Sequence, residues 1–288
     1  MSIKIKHLTH IYNEGMPFQK VALDDINIEI NTGEFVGIIG HTGSGKSTLI
    51  QMFNGLIKPT KGEVYINNEN IHGDHTNKKL IRQKVGLVFQ YPEYQLFEMT
   101  VKEDIAFGPK NLGLTSEEVD ERVKDAMKAV GLDESYCEKS PFELSGGQKR
   151  RVAIAGVLAM KPETLILDEP TAGLDPKGRN ELFDQLKKMH EELGLTIVLI
   201  SHSMEDVARY AEKLIVLYKG KIAYQGTPRE VFAHGKKLEE IGLAMPQIRY
   251  IMEALKDKGM KVSEDVLTVE EAAAQLIEYL RGKEKSND

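Results

Sequence analysis

The 288-residue sequence has a single cysteine, no tryptophan, no long apolar run and no excess of basic residues. Because Cys137 is the only thiol, no disulfide can form within the chain, which favours a reducing compartment. The first residues, MSIKIKHLTHIYNEG, lack the apolar segment of a secretory signal. The longest apolar stretch, Val152–Met160, is far shorter than the ~20 residues of a membrane-spanning helix. We therefore expect any contact with a membrane to go through a partner protein.

The charge balance excludes one broad class of function. The formal net charge is −6, which argues against a general nucleic-acid-binding protein. Hydrophobic residues make up 41% of the chain, enough for a packed core. The length suits one large domain with an appendage, or two domains.

Two kinds of apolar pattern indicate an α/β fold. IKIKHL and VALDDINIEI alternate apolar and polar residues, which is typical of half-buried antiparallel strands. FVGIIG, VGLVFQ, TLILDE and TIVLIS are continuously apolar, as expected of strands buried on both faces of a parallel sheet. Helix start signals stand between them, such as Thr115 with Glu118 and Asp175 with Pro176.

After about residue 235 the α/β pattern ends and two amphipathic patterns follow. They are PQIRYIMEALKDKG and TVEEAAAQLIEYLRG. Helical spacing places one set of apolar residues on a single face of the second pattern: Val269, Ala272, Ala273, Leu276 and Leu280. We predict a small C-terminal helical extension.

The segment IIGHTGSGKST matches the P-loop pattern and lies between a predicted strand and a predicted helix. Its glycines allow main-chain N–H groups to turn toward a phosphate, and the helix start adds positive potential. Lys46 would reach the β- and γ-phosphates, and Ser47 would ligate Mg²⁺. The alternative is a glycine-rich turn without a ligand. The predicted nucleotide-binding residues here are Gly40, His41, Thr42, Gly43, Ser44, Gly45, Lys46, Ser47 and Thr48.

LILDEP ends a buried strand with two adjacent carboxylates. Asp168 is placed to hold Mg²⁺ and Glu169 to polarise an attacking water, since paired carboxylates at such a strand end are costly without a cation. A guanine-reading Asn-Lys-x-Asp motif is absent, which favours ATP over GTP.

LSGGQKRRVAIAG predicts a second helix start suited to a phosphate. The predicted contacts are Ser145, Gly146, Gly147 and Gln148. One γ-phosphate does not need two such sites from one chain, so we expect Ser145 to face nucleotide held by another subunit. An ordinary serine N-cap would explain Ser145 but not the Gly-Gly-Gln that follows it.

GHTGSGKST, LSGGQ, LILDEP, AGLD and SH, in this order, resemble an ATP-binding cassette ATPase over residues 2 to about 235. The resemblance implies further roles. Tyr12 would stack on adenine, and Gln90 would sense Mg²⁺ and the γ-phosphate. Asp175 would contact the opposite subunit. His202 would hold the γ-phosphate or the attacking water. The implied catalytic residues are Lys46, Gln90, Glu169 and His202, and the implied metal ligands are Ser47, Gln90 and Asp168.

The segment FQYPEYQLFEMTVKEDIAFGPKNLG further resembles the ATPases of energy-coupling factor transporters, which import vitamins and metal ions in prokaryotes. YPEYQLFE is similar to the A-prime type, although Met99 stands where a second Glu is expected. The resemblance implies pairing with a paralogous ATPase, a transmembrane coupling protein and a substrate-binding membrane component. It implies a peripheral position on the cytoplasmic face of the membrane and no nucleic-acid partner.

The predicted architecture is therefore a P-loop ATP-binding cassette with an antiparallel β subdomain and a helical signature subdomain. The cassette would span residues 1–235, its helical subdomain about 91–160, and a dimerisation extension 236–288. Two other functions remain open at this point. One is a soluble cassette protein acting on a non-transport partner, and the other is a scaffold that binds ATP without turnover.

Overall fold

The computed structural model describes residues 2–73 and 76–284, which form two sheets with helices around them. The strands are β1 (Ile3–Tyr12), β2 (Lys20–Ile30), β3 (Phe35–Ile39), β4 (Lys61–Ile66), β5 (Glu69–Asn70), β6 (Val85–Val88), β7 (Thr164–Asp168), β8 (Thr196–Ile200), β9 (Lys213–Tyr218) and β10 (Lys221–Gly226). The helices are α1 (Lys46–Phe53), α2 (Lys78–Lys84), α3 (Val101–Leu112), α4 (Ser116–Ala129), α5 (Gly146–Leu158), α6 (Pro176–Leu193), α7 (Met204–Tyr210), α8 (Pro228–Phe232), α9 (Gly235–Glu240), α10 (Gln247–Asp257) and α11 (Val269–Glu284).

The first sheet is antiparallel, with strand order β2-β1-β4-β5. The alternating residues of β1 and β2 place Ile3, Ile5, Ile26 and Ile28 in the core. The prediction of two half-buried antiparallel strands is confirmed.

The second sheet has the order β10-β9-β3-β8-β7-β6, and its strands from β9 to β6 run parallel. Every residue of β3, β7 and β8 is buried, because the antiparallel sheet and α1 cover one face and helices including α3, α4 and α5 cover the other. The carboxyl ends of β3, β6, β7 and β8 therefore lie along one edge, where open α/β sheets place ligands. The expected α/β fold is confirmed.

The helix N-caps predicted at Thr115 and Asp175 are present. Thr115 and Glu118 form a reciprocal capping box at α4, and Asp175 accepts a hydrogen bond from the Gly178 amide at the start of α6. Helices α3, α4 and α5 pack on the same core cluster as the parallel sheet. Their starting residues thereby sit at fixed positions relative to the strand ends.

The apolar face predicted for the last helix is only partly covered within the chain. In α11, Ala272 is buried and Leu276 half-buried, but Val269, Ala273 and Leu280 are exposed. The predicted face exists, yet within one chain only its edge packs, against a small cluster around Met252 and Val266 in the preceding segment. This packing is too narrow to cover a whole helix face.

The core continues past residue 235. Leu238, Leu243 and Met245 are buried in the cluster that contains the parallel sheet. The division into a cassette and an extension at residues 235 and 236 stays a prediction.

Candidate active site

The P-loop connects β3 to α1 at the carboxyl edge of the parallel sheet. Gly45 has φ +110°, and a Cβ there would lie 2.6 Å from the carbonyl oxygen of Ala22. Only glycine fits this combination of conformation and close approach. The loop therefore folds tightly around the start of α1, with its N–H groups available to an anion.

Lys46 lies inside this loop and is 6% exposed. Its Nζ donates to the carbonyl oxygens of Gly40, at 2.6 Å, and His41, at 3.2 Å. Burial lowers the pKa of Lys46, while nearby Glu169 and Asp168 oppose that shift. A buried ammonium held only by neutral carbonyls in direct contact is suited to receive a phosphate.

Asp168 ends β7 and is 8% exposed. Burial and the neighbouring Glu169 raise its pKa, and a hydrogen bond from Ser47 and the charge of Lys46 oppose the shift. The Ser47 hydroxyl and the Asp168 carboxylate form an oxygen donor set of the kind that Mg²⁺ prefers. Within residues 2–73 and 76–284, no three His, Cys, Asp or Glu side chains group to hold a metal.

Glu169 follows β7 and contacts residues that follow two other strands, β6 and β8. Its Oε2 accepts a hydrogen bond of 3.0 Å from Nε2 of Gln90, which follows β6. Its Oε1 lies 2.8 Å from Nε2 of His202, which follows β8. The structure thus brings together three of the four predicted catalytic residues, and the carboxylate remains 22% exposed.

The backbone at Glu169 is unusual. Its φ is +49°, in the left-handed region that a non-glycine residue occupies only when its surroundings impose it. The Glu169 amide donates to the carbonyl of Ile200, and its carbonyl accepts from the amide of Ala172. These bonds hold the turn that aims the carboxylate.

Tyr12 lies at the end of β1, and its hydroxyl is 3.1 Å from Oγ1 of Thr48 in the first turn of α1. The ring is 38% exposed and meets the His10 ring edge-on, with centroids 4.6 Å apart. The predicted adenine-stacking residue is therefore next to the phosphate-binding helix and still has a free face.

The signature turn, which comprises residues 145–148 at the start of α5, is separate from the residues around Glu169. Ser145 caps α5 in a reciprocal capping box with Gln148, whose side chain also donates to the Tyr136 hydroxyl at 2.9 Å. A Cβ on Gly146 would meet no atom within 4 Å. No hydrogen bond between described residues joins this turn to the P-loop. We call Lys46, Gln90, Asp168, Glu169 and His202 the polar cluster. Ser145, Gly146, Gly147 and the exposed Asp175 lie outside it.

Sequence reasoning missed Arg150. It is 3% exposed and makes an ion pair with Glu93. Its spacing gave a signal, because Arg150 and buried Ile154 are four residues apart on one face of α5. The run Lys149-Arg150-Arg151 hid that signal, since consecutive charges usually lie in solvent.

An aromatic patch follows Gln90. It comprises Tyr91, Tyr94, Phe97 and Phe107, with exposed fractions of 42%, 84%, 59% and 46%. The Phe97 and Phe107 rings meet edge-on with centroids 5.0 Å apart. Because both rings are exposed, they do not fill the core of the helical subdomain.

Comparison with known proteins places this site in a family. Residues 23–172 match the family described as ABC transporter. The energy-coupling factor transporter ATP-binding protein EcfA2 of Clostridium tetani is 58% identical over 284 residues, covering 98% of this chain and 99% of the relative. The EcfA2 protein of Clostridioides difficile is 59% identical over 285 residues, with the same coverage. The chain belongs to the ATP-binding proteins of energy-coupling factor transporters, within the ABC transporter family.

Solved structures agree with this membership. The cbiO1 protein of Clostridium perfringens, described as part of the ABC transporter complex cbiONQ, has a TM-score of 0.74 and 41% identity, covering 87% of this chain and 98% of its own. The ATP-binding cassette MJ0796, solved as a dimer with ADP and Pi, has a TM-score of 0.70 and 36% identity, covering 78% and 98%.

ATP binding and hydrolysis are therefore activities of this chain, and its cassette fold is confirmed. The predicted energy-coupling factor ATPase is confirmed, and the alternative of a soluble cassette protein with a non-transport partner is not favoured. The individual residue roles stay predictions.

Proposed function

We propose that the chain hydrolyses Mg²⁺-ATP at a site shared with a second, paralogous ATPase subunit, and that this drives a membrane importer. One observation carries the proposal: Glu169 lies between Gln90 and His202 at the strand edge that also holds the P-loop. Within one chain the residues proposed to bind phosphate and to activate water lie together, while no hydrogen bond between described residues joins the signature turn to them.

Nucleotide binding would use the P-loop amides and Lys46 for the phosphates, and Tyr12 for adenine. Thr48 would add a hydroxyl contact to a phosphate. Ser47, Asp168 and Gln90 would hold Mg²⁺, which supplies charge neutralisation at the β- and γ-phosphates. The Ser47–Asp168 hydrogen bond supports this set because the two oxygen donors already lie together.

Hydrolysis would depend on Glu169 as the group that accepts a proton from the attacking water. Gln90 and His202 hold the two carboxylate oxygens from opposite sides, which fixes the direction in which the carboxylate presents its lone pairs. His202 is 46% exposed, so its ring can also reach a γ-phosphate or the water. Positioning of this kind supplies much of the rate in phosphoryl transfer.

The signature turn would complete the site of the second subunit. The exposed starts of α5 and α6, with Ser145 and Asp175, support a contact in trans. A cassette dimer is the solved state of MJ0796, which is similar to this chain. The exposed face of α11, with Val269, Ile277 and Leu280, would add a further contact between subunits.

The aromatic patch would meet a helix of the transmembrane coupling protein. A groove of about 700 Å³ lies beside Phe97 and Phe107. Its wall combines apolar and polar side chains, among them Leu96, Val152, Met160, Lys79 and Arg82. An apolar groove with a polar rim suits an amphipathic helix.

The location and cargo follow from the same proposal. No described helix is long and apolar enough to cross a bilayer. The chain would lie on the cytoplasmic face of the membrane, bound through the coupling protein. The cargo would be a vitamin or metal ion, held by a separate substrate-binding membrane component.

Affinity purification of the tagged chain from membranes, with mass spectrometry of the chains that elute with it, tests the assembly. We expect a second ATP-binding cassette protein and a multi-span membrane protein in comparable amounts. Elution of the chain without either protein under conditions that preserve other transporters would contradict the proposal.

A further inference from the structure

We propose that Arg150 is a positioning residue, which fixes the turn carrying Glu169 and links it to the segment that carries the aromatic patch. The second half of this statement rests on the proposed function, because it concerns the membrane partner. The first half concerns ATP hydrolysis alone.

The geometry around Arg150 is specific. Its Nη1 donates to the carbonyl oxygens of Pro170, at 2.9 Å, and Ala172, at 2.8 Å. Its Nε and Nη2 donate to the two carboxylate oxygens of Glu93, at 3.1 and 2.7 Å. One guanidinium therefore joins three segments: helix α5, the turn after Glu169 and the Pro92–Gln95 turn after Gln90.

The stability of the helix packing alone does not explain such a buried cation. A buried ion pair costs desolvation that apolar packing would avoid, so it is poor evidence for a purely stabilising role. A planar fork with five donors is instead suited to fix several acceptors in one geometry, which a lysine ammonium cannot do. The acceptors here are the two carbonyls that flank Thr171, immediately after Glu169.

The turn after Glu169 needs such a contact. Glu169 is held at φ +49°, and its carbonyl already accepts from the Ala172 amide. Loss of the Arg150 contacts at Pro170 and Ala172 leaves two carbonyls unpaired and the turn free to relax. The carboxylate would then move relative to Gln90 and His202, without any change in the P-loop.

The hydrogen bonds from Arg150 to Glu93 connect the guanidinium to the segment that carries the aromatic patch. Glu93 precedes Tyr94 directly and is 15% exposed, so its carboxylate points inward while the neighbouring ring points outward. A displacement of the aromatic patch is therefore transmitted through Glu93 and Arg150 to the turn after Glu169.

The test uses two conservative variants and one control. Arg150→Lys keeps the charge beside Glu93 but cannot hold four acceptors. Glu93→Gln weakens only the arm toward the aromatic patch. Arg122→Met is the control. Arg122 also donates a hydrogen bond to a backbone carbonyl, that of Ala159 directly after α5, at 3.2 Å, and not to the turn after Glu169. Each is measured in the pair with the second ATPase subunit and in the full complex, beside thermal melting.

For Arg150→Lys we expect kcat of the pair, without the membrane component, to fall about tenfold or more. The KM for ATP should change less than about twofold, because the P-loop contacts remain. A purely structural role would lower the melting temperature and leave kcat of the folded protein as in the control. Unchanged kcat in Arg150→Lys, while Glu169→Gln abolishes turnover, would overturn the inference and leave the proposed function standing.

For Glu93→Gln we expect kcat of the pair to fall less than about threefold. In the full complex, solute imported per ATP hydrolysed should fall by a larger factor. An unchanged ratio of import to hydrolysis would refute the link to the aromatic patch.

Discussion

The polar cluster and the signature turn are both proposed to contact phosphate, yet only the polar cluster is assembled from several segments of the chain. Lys46, Asp168, Glu169, Gln90 and His202 come from four segments of sequence and meet at one strand edge. Ser145 and its glycines start a helix, and among the described residues no hydrogen bond joins that start to the P-loop or to Glu169. Under the proposed function, each chain supplies half of the site, and hydrolysis then depends on a second subunit.

A similar contrast exists between the apolar faces that the chain buries and those that it leaves exposed. The helices around the parallel sheet have their apolar faces buried, whereas the aromatic patch and one face of α11 remain exposed. A contiguous exposed apolar patch often marks an interaction site. The exposed sets lie on the two parts of the molecule that the proposal assigns to the membrane component and to the second ATPase.

The largest effect is expected at the polar cluster itself. Lys46→Ala removes the cation that faces the phosphates, so turnover should fall on the order of 10²-fold or more. Lys161→Ala, which removes an exposed lysine paired with Asp125, serves as the control. Steady-state ATPase assays of both variants check this, and near wild-type activity in Lys46→Ala would sink the P-loop assignment.

A change in the signature turn separates the two halves of the site. Ser145→Arg places a bulky cation where we expect the nucleotide of the other subunit. ATP binding to the isolated chain should remain, and hydrolysis by the mixed pair should be lost. Binding measured by calorimetry on the subunit, beside activity of the pair, checks this. Equal loss in both measurements would mean that the signature turn acts within its own chain.

The aromatic patch tests the membrane side of the comparison. Tyr94→Ala combined with Phe97→Ala removes two central anchors, each worth roughly 2 kcal/mol at an interface. Association with the coupling protein and solute uptake should fall together, while ATP binding and melting temperature stay near wild type. A melting temperature well below that of wild type, with normal assembly of the folded fraction, would show that the rings are needed for the fold instead.

The smallest effect is expected beside that patch, at Asp104. Its Oδ1 accepts from the amides of Phe97 and Glu98, whereas its Oδ2 is buried without a partner in the described part of the chain. Burial raises the pKa of Asp104, so its contribution to stability is present below pH ~4 and is lost as pH rises through the raised value.

Asp104→Asn removes this dependence on pH. The melting temperature of the variant minus that of wild type should increase between pH 4 and 7, by about 1–3 °C. Scanning calorimetry across that range measures it. A difference that is constant or decreases with pH would contradict the direction assigned to Asp104.

The fold was largely readable in the sequence because its signals are local. The buried strands appear as apolar runs, and Thr115, Asp175 and Ser145 mark helix starts by short-range hydrogen bonds. The roles of Gln90 and His202 came from the resemblance to ATP-binding cassette ATPases. The observed strand order explains why they meet Lys46 and Glu169, because it places the loops after β3, β6, β7 and β8 along one edge.

What could not be read depends on contacts between distant residues. The partners of Arg150 are 57, 20 and 22 positions away, and a run of basic residues gives no hint of them. Helical spacing predicted that the apolar residues of α11 align on one face, but it could not predict how much of that face the chain itself covers. The left-handed backbone of Glu169 follows from its neighbours and not from its own residue type.

The central claim is that Glu169 activates the water at a site otherwise able to bind ATP. The direct measurement is Glu169→Gln, with ATP binding, hydrolysis and the elution volume of the pair recorded together. We predict normal ATP binding, almost no hydrolysis and accumulation of a closed, ATP-loaded pair, because the amide cannot accept the proton as the carboxylate does. Normal hydrolysis, or loss of ATP binding, would contradict the account.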